Sequence, residues 1–419
     1  MISLFILKPN IRGTQYGIGT YLIQLTNALL KVEDINIFII NYQSDIYKEY
    51  KVVSTSPKLI EIFIPTPIIK IRDEKQTMRY ATQVVKFLTP YLSTDTDAIF
   101  QVNYPDALPI VKQLKSRFSS KIISVIHSAQ WHFMFHGNKQ KFLENWSDTS
   151  GTYEGMHKWS EEEKELYELS DKIVSVTEYM RNFLIKYYCI PSEKIKVICN
   201  GIDNTCFQIL DKGQKIALKQ SLGFDKDEKI VLFSGRIDAS KGLYFLLDGF
   251  KEIVKRHSNI RLVIIGGDSS TDTISQFLSH CENIWSKVTF TGFLEYEKCM
   301  KFYMIADIGI LPSIYDHCPY VAIEMIGHNI PLIISNTEGL NEILTENQSI
   351  YLTPHVDDSG NLTYDRIEIA NAIFSILNDE QKAKQIAKDY PELMRTRFSS
   401  QRMAKEMYSV FEKMNLNGA

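Results

Sequence analysis

Short runs of apolar and β-branched residues recur along the chain, and segments with apolar residues at helical spacing separate them. This alternation predicts an α/β protein whose parallel strands are joined by helical crossovers. The runs fall into two sets, and each set predicts one doubly wound domain. The predicted strands of the first set are Ile2–Leu7, Ile35–Ile40, Ile60–Ile64, Ala98–Gln101, Ile122–Ile126, Lys172–Val176 and Ile195–Ile198. Those of the second set are Ile230–Ser234, Arg261–Ile265, Lys287–Thr291, Ile308–Pro312, Leu332–Ser335 and Ser349–Leu352.

A polar stretch without predicted strands separates the two sets. It extends from Asn204 to Lys229, after the turn Asn200-Gly201, and it predicts a first domain of residues 1–204 and a second of residues 205–399. The length of 419 residues agrees with two domains. The tail predicts one more helix, which could pack on either domain, because its apolar residues have helical spacing. These residues are Met403, Met407, Val410, Phe411 and Met414.

The composition is typical of a soluble globular protein, with 44% hydrophobic and 23% charged residues. The net charge of −3, from 47 basic and 50 acidic residues, argues against a nucleic acid partner. The six cysteines show no spacing typical of a zinc site or a disulfide framework, so we expect a cytoplasmic location. The apolar start, Met1–Leu7, is expected to be a buried strand, because it lacks a basic leader and a cleavage site.

One segment bears on membrane contact. No apolar run reaches the roughly 18 residues that a membrane span requires, but Leu108–Lys121 has a basic amphipathic pattern. Two interpretations remain open: peripheral attachment at the inner membrane surface, and a solvated helix face, which we favour. The basic residues are Lys112, Lys115, Arg117 and Lys121.

The segment Phe233–Gly242 is the most specific signal for phosphate binding. It leaves a predicted strand, turns, and enters a helix, so that Arg236 and Lys241 lie at the carboxyl end of a strand. Open α/β sheets bind ligands at that edge. A planar guanidinium and a compact ammonium together suit a diphosphate whose negative charge grows as a bond breaks. An exposed basic loop is the alternative interpretation.

Two carboxylates, Asp316 and Glu324, flank a segment that predicts a loop running into the start of a helix. A helix start presents backbone N–H groups and a positive dipole end, which suits an anionic or hydroxyl-rich ligand. The flanking acids would accept hydrogen bonds from sugar hydroxyls. The candidate backbone positions between them are His317, Cys318, Pro319, Tyr320 and Val321.

A second glycine-rich segment, Gly13–Thr20, follows the first predicted strand and opens a predicted helix over Tyr21–Leu30. It lacks the full G-x-G-x-x-G fingerprint, which argues against a dinucleotide loop. Gly17 and Gly19 therefore predict either a loop that closes over a donor molecule or a plain tight turn.

His127 directly follows the predicted strand Ile122–Ile126, so its imidazole is expected at a strand end, close to a substrate. His132 and His136 follow at helical spacing, but no carboxylate or cysteine spacing supports a metal site, and we predict none. The aromatic residues of the following segment predict either a surface that stacks a sugar or faces a peptide, or a core, which we favour. They are Trp131, Phe133, Phe135 and Trp146.

Taken together, these segments resemble the retaining glycosyltransferases of family four, which have the GT-B fold of two Rossmann-like domains facing a central cleft. The resemblance spans nearly the whole chain and is most specific in the second domain. The motifs that carry it are Ser234-Gly-Arg236, Lys241-Gly242, Thr291-Gly-Phe293, Ala306-Asp307, Leu311-Pro-Ser313, the segment 316–324, Pro331 and Glu342.

The resemblance implies roles for residues of the second domain. Arg236 and Lys241 would bind the diphosphate of a nucleotide sugar, most often UDP- or GDP-linked, and Glu324 would bind the ribose hydroxyls. Backbone near Phe293 would meet the base, and Asp316 would approach the transferred sugar. No cofactor and no essential metal are implied, because the two cations replace the charge of a metal.

In the first domain, the resemblance implies that Gly17 and Gly19 cover the sugar and that His127 lies close to the sugar or the acceptor. Asn200, in an Asn-Gly turn, would mark the cleft, and the last helix, within residues 400–419, would cross back to this domain. The implied partners are a nucleotide sugar and an acceptor, which is a glycan, a lipid-linked sugar, or a peptide or protein.

The chain departs from the family pattern at two positions. Asp316 stands where the family usually has glutamate, and Cys199 replaces a proline that commonly precedes Asn-Gly. Two other functions therefore remain open beside glycosyl transfer. One is a nucleotide-sugar epimerase or hydrolase of the same fold, because a fold alone does not fix the chemistry. The other is an inactive binding partner of an active enzyme.

Overall fold

The computed structural model describes residues 2–10, 17–32, 34–66, 73–92, 98–118, 120–135, 137–145, 154–267, 271–358 and 360–416. The chain divides into two compact units. Unit 1 comprises Met1–Gln130, Asn145–Gly201 and Ser400–Ala419, and unit 2 comprises Trp131–Glu144 and Ile202–Ser399.

The strands and helices alternate along most of the chain. The strands are β1 (Ile2–Pro9), β2 (Ile35–Ser44), β3 (Lys51–Ser56), β4 (Leu59–Pro65), β5 (Ala98–Val102), β6 (Lys121–Ile126), β7 (Lys172–Ser175), β8 (Ile195–Val197), β9 (Lys229–Ser234), β10 (Ile260–Ile265), β11 (Val288–Gly292), β12 (Ile308–Leu311), β13 (Leu332–Ser335), β14 (Ile350–Leu352), β15 (His355–Val356) and β16 (Leu362–Thr363). The helices are α1 (Gly17–Leu29), α2 (Glu74–Leu88), α3 (Leu108–Arg117), α4 (Gln130–Met134), α5 (Lys139–Asn145), α6 (Glu154–Leu169), α7 (Glu178–Tyr187), α8 (Lys212–Ser221), α9 (Leu243–Val254), α10 (Thr271–His280), α11 (Tyr296–Ile305), α12 (Tyr320–Gly327), α13 (Arg366–Leu377), α14 (Glu380–Ala387), α15 (Tyr390–Thr396) and α16 (Ser400–Leu416).

Unit 1 is built on a sheet with the strand order β3-β4-β2-β1-β5-β6-β7-β8. Its strands pair in parallel except for β3, which runs antiparallel to β4 at the edge. The central strands are buried along most of their length, as expected for parallel strands with helices on both faces. The last helix, α16, packs against α1, and Met407 of α16 lies 4.0 Å from the hydroxyl of Tyr21.

Unit 2 is built on a parallel sheet with the strand order β11-β10-β9-β12-β13-β14. A small antiparallel pair, β15 and β16, follows it. The amide of Ile202 donates a hydrogen bond to the carbonyl of Phe398, which ties the first residues of this unit to its last. In both sheets the chain order of the strands reverses near β1 and β9, which places a topological switch point beside each of these strands.

The predicted strands are all present, with ends that differ by a few residues at most. The sequence interpretation missed β3 and the pair β15 and β16. These short strands lie at an edge or outside the main sheets, and β3 is largely exposed, so they lack a run of buried apolar residues. Helix α8, which begins with a capping box at Asp211, lies in the polar stretch that separates the two sets of predicted strands.

The unit boundaries differ in two respects from the predicted domains of residues 1–204 and 205–399. Unit 2 begins at Ile202, and it also includes residues 131–144, which lie within the predicted first domain. Residues 400–419 belong to unit 1, as the resemblance implied for the last helix.

The basic segment predicted over Leu108–Lys121 is not one helix, because α3 ends at Arg117 and Lys121 begins β6. Lys112 and Lys115 of α3 each lie 2.6 Å from a carboxylate oxygen, on Glu165 and Asp171 respectively. These ion pairs favour the interpretation as a solvated, charge-balanced helix face. Within the described ranges, no helix is both long enough and apolar enough to cross a membrane.

Candidate functional site

The loop that follows β9 is held in a fixed conformation by its own residues. The Asp238 carboxylate accepts a hydrogen bond of 2.9 Å from the amide of Ser240, which caps the short helical turn Ala239–Lys241. Gly242 then adopts a φ of 67°, and a β carbon there would lie 1.9 Å from the carbonyl oxygen of Pro312. Only glycine permits this approach, which brings the loop against the end of β12.

This packing places Lys241 beside Asp316. The Lys241 ammonium lies 2.6 Å from a carboxylate oxygen of Asp316, and both side chains are about four-fifths buried, with exposures of 18% and 19%. The other carboxylate oxygen of Asp316 accepts a hydrogen bond of 3.1 Å from the amide of His317. The cation of the β9 loop and the first acid of the segment 316–324 therefore form one ion pair, although 75 positions separate them.

Arg236 is held less tightly than Lys241. Its guanidinium lies 3.3 Å from the Asp238 carboxylate, and each side chain is 34% exposed. A partly exposed pair of this kind contributes little to stability, so Arg236 can turn toward a ligand at low cost.

The segment after Asp316 turns sharply into a helix. Cys318 has a φ of 48°, a conformation uncommon for a residue with a side chain, and Pro319 is the N-cap of α12 without a side-chain cap. Tyr320 begins α12, whose positive dipole end therefore lies three residues after His317. Strained backbone that leads into a helix start is typical of ligand-binding loops in α/β proteins.

Glu324 lies one turn into α12 and is buried, with 8% of its surface exposed. The hydroxyl of Tyr303 donates a hydrogen bond of 3.1 Å to its carboxylate. Burial raises the pKa of Glu324 to about 7, and the bond from Tyr303 opposes that shift in part. A buried carboxyl with a pKa near neutrality at the carboxyl edge of a sheet is a candidate binding group.

Phe293 follows β11 and is exposed, with 71% of its surface accessible. Gly292 before it has a φ of 68°, and a β carbon on Gly267 would lie 3.6 Å from the Phe293 amide nitrogen. The ends of β10 and β11 are thus close together, and the backbone near Phe293 is accessible, as a base-binding role requires.

In unit 1, Gly17 begins α1 and Gly19 is buried in it, whereas residues 13–16 of the glycine-rich segment lie outside the described residues. His127 directly follows β6, and its ring packs edge-on against Tyr21 with the ring centres 4.7 Å apart. Its Nε2 atom lies 3.4 Å from Oδ1 of Asn103. Desolvation lowers the pKa of His127 to about 3, so its ring is neutral at physiological pH.

Asn200 is buried in the turn that ends unit 1. The guanidinium of Arg402, on α16, donates hydrogen bonds of 2.6 Å to the carbonyl of Cys199 and 3.3 Å to the carbonyl of Asn200. The last helix therefore holds the Asn-Gly turn in place.

Two protein-family models match the chain, one on each side of residue 210. Residues 16–205 match "Glycosyltransferase Family 4", and residues 214–392 match "Glycosyl transferases group 1". The chain belongs to the group 1 glycosyltransferases.

Curated relatives of this chain match it over part of their length. An uncharacterised glycosyltransferase of Methanocaldococcus jannaschii is 30% identical over 58% of this chain and 60% of its own length. Spore coat protein SA of Bacillus subtilis is 25% identical over 58% of this chain and 65% of its own. The chain thus spans less than two thirds of the length of these relatives.

Solved structures match the whole chain. Sucrose-phosphate synthase from Thermosynechococcus elongatus has a TM-score of 0.79 and 20% identity, with all of both chains covered. Anabaena HepE in complex with UDP and glucose has a TM-score of 0.71 and 16% identity, with 99% and 100% of the two chains covered. These likenesses confirm the prediction of the GT-B fold with two Rossmann-like domains.

Unit 2 also contains a histidine pair that sequence reasoning missed. The Nε2 atoms of His317 and His132 lie 3.2 Å apart in a buried contact within unit 2. Desolvation lowers the pKa of His317 to about 4, so the ring of His317 is neutral at physiological pH. A β carbon on Gly339 would lie 2.2 Å from His317 Nδ1, which shows that the ring fits only beside a glycine. No local sequence signal links positions 185 residues apart.

Other contacts also join the segment 131–144 to the rest of unit 2. Lys139 lies 2.7 Å from a carboxylate oxygen of Glu338, and the side-chain amide of Asn138 donates to the carbonyl of Gly360. Trp131 and Phe135 are buried, which agrees with the favoured interpretation as core. His136, Trp146 and the side chain of Phe133 lie outside what the structure describes. In the described part of the chain, no group of three His, Cys, Asp or Glu side chains lies close enough to hold a metal ion.

Proposed function

We propose that this glycosyltransferase moves a sugar from a nucleoside-diphosphate sugar, UDP- or GDP-linked, to an acceptor hydroxyl with retention of anomeric configuration. The observation that carries the proposal is the ion pair between Lys241 and Asp316, because Asp316 precedes the start of α12 and the buried Glu324 lies one turn into that helix. A cation, a helix start and a carboxylate thus lie in one part of unit 2, and they offer partners for the diphosphate, the sugar and the ribose of a donor.

Lys241 and Arg236 act on the diphosphate in this proposal. As the bond between the sugar and the phosphate breaks, the leaving group gains negative charge, and fixed cations stabilise that charge in the transition state. The buried pair with Asp316 keeps the Lys241 ammonium oriented before the donor arrives. Because these two cations supply the charge that a metal supplies in other enzymes, we propose that no resident metal or cofactor is essential.

The remaining unit 2 residues bind the rest of the donor. Asp316 and the backbone from His317 to Val321 meet the sugar hydroxyls and the phosphates, Glu324 accepts hydrogen bonds from the ribose hydroxyls, and backbone near Phe293 meets the base. Asp316 reaches one methylene less far than glutamate, so the loop would have to bring the sugar closer. A nucleotide and a sugar as ligands are supported by the structure of Anabaena HepE, which has the same fold and was crystallised with UDP and glucose.

In unit 1, we propose that Gly17 and Gly19 cover the sugar, that His127 contacts the sugar or the acceptor, and that Asn200 positions the turn between the domains. Neutral His127 can exchange hydrogen bonds with hydroxyls but cannot supply a positive charge. The acceptor would be a glycan, a lipid-linked sugar, or a peptide or protein. A cytoplasmic location is our proposal too, and the acids paired with Lys112 and Lys115 argue against membrane attachment through α3.

Retention of configuration is part of the proposal, as the family resemblance implies. Retaining glycosidases use two carboxylates about 5–5.5 Å apart as nucleophile and acid, whereas Asp316 here is already paired with Lys241. We therefore propose that the acceptor hydroxyl attacks on the face that the diphosphate leaves, with charge stabilisation as the main catalytic effect.

The donor site is tested by thermal stability against a panel of UDP-, GDP- and ADP-sugars, because a ligand that binds the folded state raises its midpoint. We expect a selective rise with one nucleotide, lost in Glu324→Ala. The matched control is Glu338→Ala, which removes a carboxylate of unit 2 outside the proposed site and should keep the rise. A wild-type protein that no nucleotide sugar stabilises would overturn the proposed donor site.

Donor affinity should depend on the ionisation of Glu324. Because the pKa of this carboxyl is about 7 and only the ionised form accepts from both ribose hydroxyls, affinity should fall as the pH drops below about 7. The change would be close to tenfold per pH unit well below the pKa. Isothermal titration calorimetry with the stabilising nucleotide sugar measures this change in affinity from about pH 5.5 to about pH 8.5. In Glu324→Gln the slope should disappear; an unchanged slope in that variant would assign the titration to another group.

A further inference from the structure

A cluster of polar side chains lies at the carboxyl end of β5 in unit 1. It consists of Gln101, Asn103 and Tyr104, and we call it the unit 1 polar cluster. The side-chain amide of Gln101 donates a hydrogen bond of 3.3 Å to Oδ1 of Asn103, which in turn lies 3.4 Å from Nε2 of His127. Strand β5 lies between β1 and β6, so the cluster occupies the ligand-binding edge of the sheet near its centre.

Each member of the unit 1 polar cluster has a buried polar atom without a hydrogen-bond partner among the described residues. The atoms are Nδ2 of Asn103, Oε1 of Gln101 and the hydroxyl oxygen of Tyr104, and the three residues are 6%, 0% and 9% exposed. Buried polar groups are nearly always paired, because leaving one unpaired costs free energy. Gln101 and Asn103 contact each other at the strand end, and Tyr104 follows Asn103 directly in the chain. Their unpaired atoms therefore indicate a bound molecule that pairs with them.

The unpaired atoms define the chemistry of that molecule. Asn103 offers a donor, Gln101 offers an acceptor, and the Tyr104 hydroxyl offers both. The side chain of Gln101 also interacts with the buried Tyr21 hydroxyl, so Asn103 carries most of the argument. A carboxylate or a fully ionised phosphate cannot donate to Gln101, and an ammonium cannot accept from Asn103, whereas a hydroxyl does both. The neighbouring His127 is neutral. Burial raises the pKa of the Tyr104 hydroxyl, and the charge of Asp106 raises it further. Asp106 itself accepts a hydrogen bond of 3.1 Å from Tyr42. An acidic neighbour disfavours an anionic ligand further.

We propose that the unit 1 polar cluster is a specificity subsite that recognises hydroxyls of an uncharged sugar, with Asn103 as its main donor. The inference rests on the proposed glycosyl transfer and narrows it, because it excludes phosphorylated or carboxylated groups at this position. The sugar comes from one of two sources: a neutral glycan acceptor, or the sugar that the donor carries.

The test uses Asn103→Leu, which removes the donor, and Tyr104→Phe, which removes only an unpaired hydroxyl. The control is Thr26→Val, since Thr26 also has an unpaired buried hydroxyl but lies within helix α1 instead of at a strand end. Saturation-transfer NMR with UDP or GDP present measures binding of the methyl α-glycosides of glucose, galactose and mannose and of their 6-phosphates. Calorimetry measures the affinity of the nucleotide sugar relative to the nucleotide alone.

We expect a neutral glycoside to bind better than its 6-phosphate, and its signal to fall about fivefold or more in Asn103→Leu and to a smaller extent in Tyr104→Phe. Thr26→Val should behave as wild type. If the donor's sugar is the ligand instead, the same variants should lower the affinity for the nucleotide sugar but not for the nucleotide. The melting temperature of Tyr104→Phe should not fall, because no hydrogen bond is lost.

The proposal is overturned if neither the glycoside signal nor the nucleotide-sugar affinity changes beyond about twofold in either variant. It is also overturned if the 6-phosphates bind better than the neutral glycosides. These results differ from failure of the proposed function, in which nucleotide sugars would not stabilise even the wild-type protein. If Asn103→Leu loses the stabilisation by UDP or GDP alone, it is misfolded, and Tyr104→Phe then decides the question.

Discussion

Replacement of Lys241 by alanine should lower kcat about 100-fold, with a smaller change in KM for the donor, because a fixed cation matters most when the diphosphate is leaving. Lys241 is held by an ion pair of 2.6 Å with Asp316, so its charge is in place before the reaction starts. Steady-state release of the nucleoside diphosphate measures the effect. Arg236→Ala should reduce turnover less strongly, because its guanidinium is only loosely held by Asp238.

The matched control for Lys241→Ala is Lys251→Ala. Lys251 also belongs to unit 2 and forms an ion pair of 2.8 Å with Asp248, but this pair lies on the surface of α9. Its loss should leave kcat unchanged. If Lys241→Ala keeps kcat within about twofold of the wild-type value, Lys241 does not stabilise the leaving group, and the chemistry assigned to the β9 loop is wrong.

Replacement of Asp307 by alanine should destabilise unit 2 by about 3 kcal/mol, because it leaves buried groups without their partner. Asp307 accepts hydrogen bonds of 2.9 Å from the ammonium groups of Lys215 and Lys219 and from the amide of Ile230. These contacts join α8 to the start of β9 and to the turn before β12. Urea unfolding should show a lower midpoint for the transition of unit 2. The matched control is Glu392→Ala, whose pair with Arg395 is exposed and contributes at most about 1 kcal/mol.

The effect of Asp307→Ala should also depend on pH. Burial alone would raise the pKa of Asp307, but the charges of Lys215 and Lys219 outweigh it and hold the pKa below its usual value. A carboxyl with a lowered pKa stabilises the fold fully above its unfolded pKa of about 3.9 and loses that contribution as the pH falls further. The difference between wild type and variant should therefore be constant from about pH 5 to 8 and shrink below about pH 4. A difference that shrinks instead as the pH rises above 5 would contradict this account.

The sequence was sufficient for most of the fold because buried parallel strands leave a clear pattern. Runs such as Ile2–Leu7 and Ile230–Ser234 are apolar except for one serine each, and the helices between them restrict the topology to parallel crossovers. Strand β3 was missed because Val52 and Val53 are its only apolar residues and it pairs only along one edge. Helix α8 was missed because its sequence is polar, although Asp211 and Gln214 form a capping box that a closer search for caps would find.

The candidate site was predictable where local sequence sets the geometry. Gly242 and Asp238 determine the β9 loop, and the helix start after Pro319 follows from a proline and an apolar run. The pairing of Lys241 with Asp316 follows from the topology, since β9 and β12 are neighbours in the sheet. The contact between His132 and His317 was not predictable, because it depends on how the segment 131–144 packs on unit 2.

Transfer of a labelled sugar tests the central claim most directly. The protein would be incubated with the nucleotide sugar that stabilises it, carbon-13 labelled in the sugar, with and without a panel of acceptor glycosides, and followed by NMR. The account predicts that label moves to an acceptor with the anomeric configuration of the donor, that equal nucleoside diphosphate is released, and that the donor is nearly unchanged without acceptor. Conversion of the donor without any acceptor, or stable donor binding without turnover on any acceptor, would contradict it.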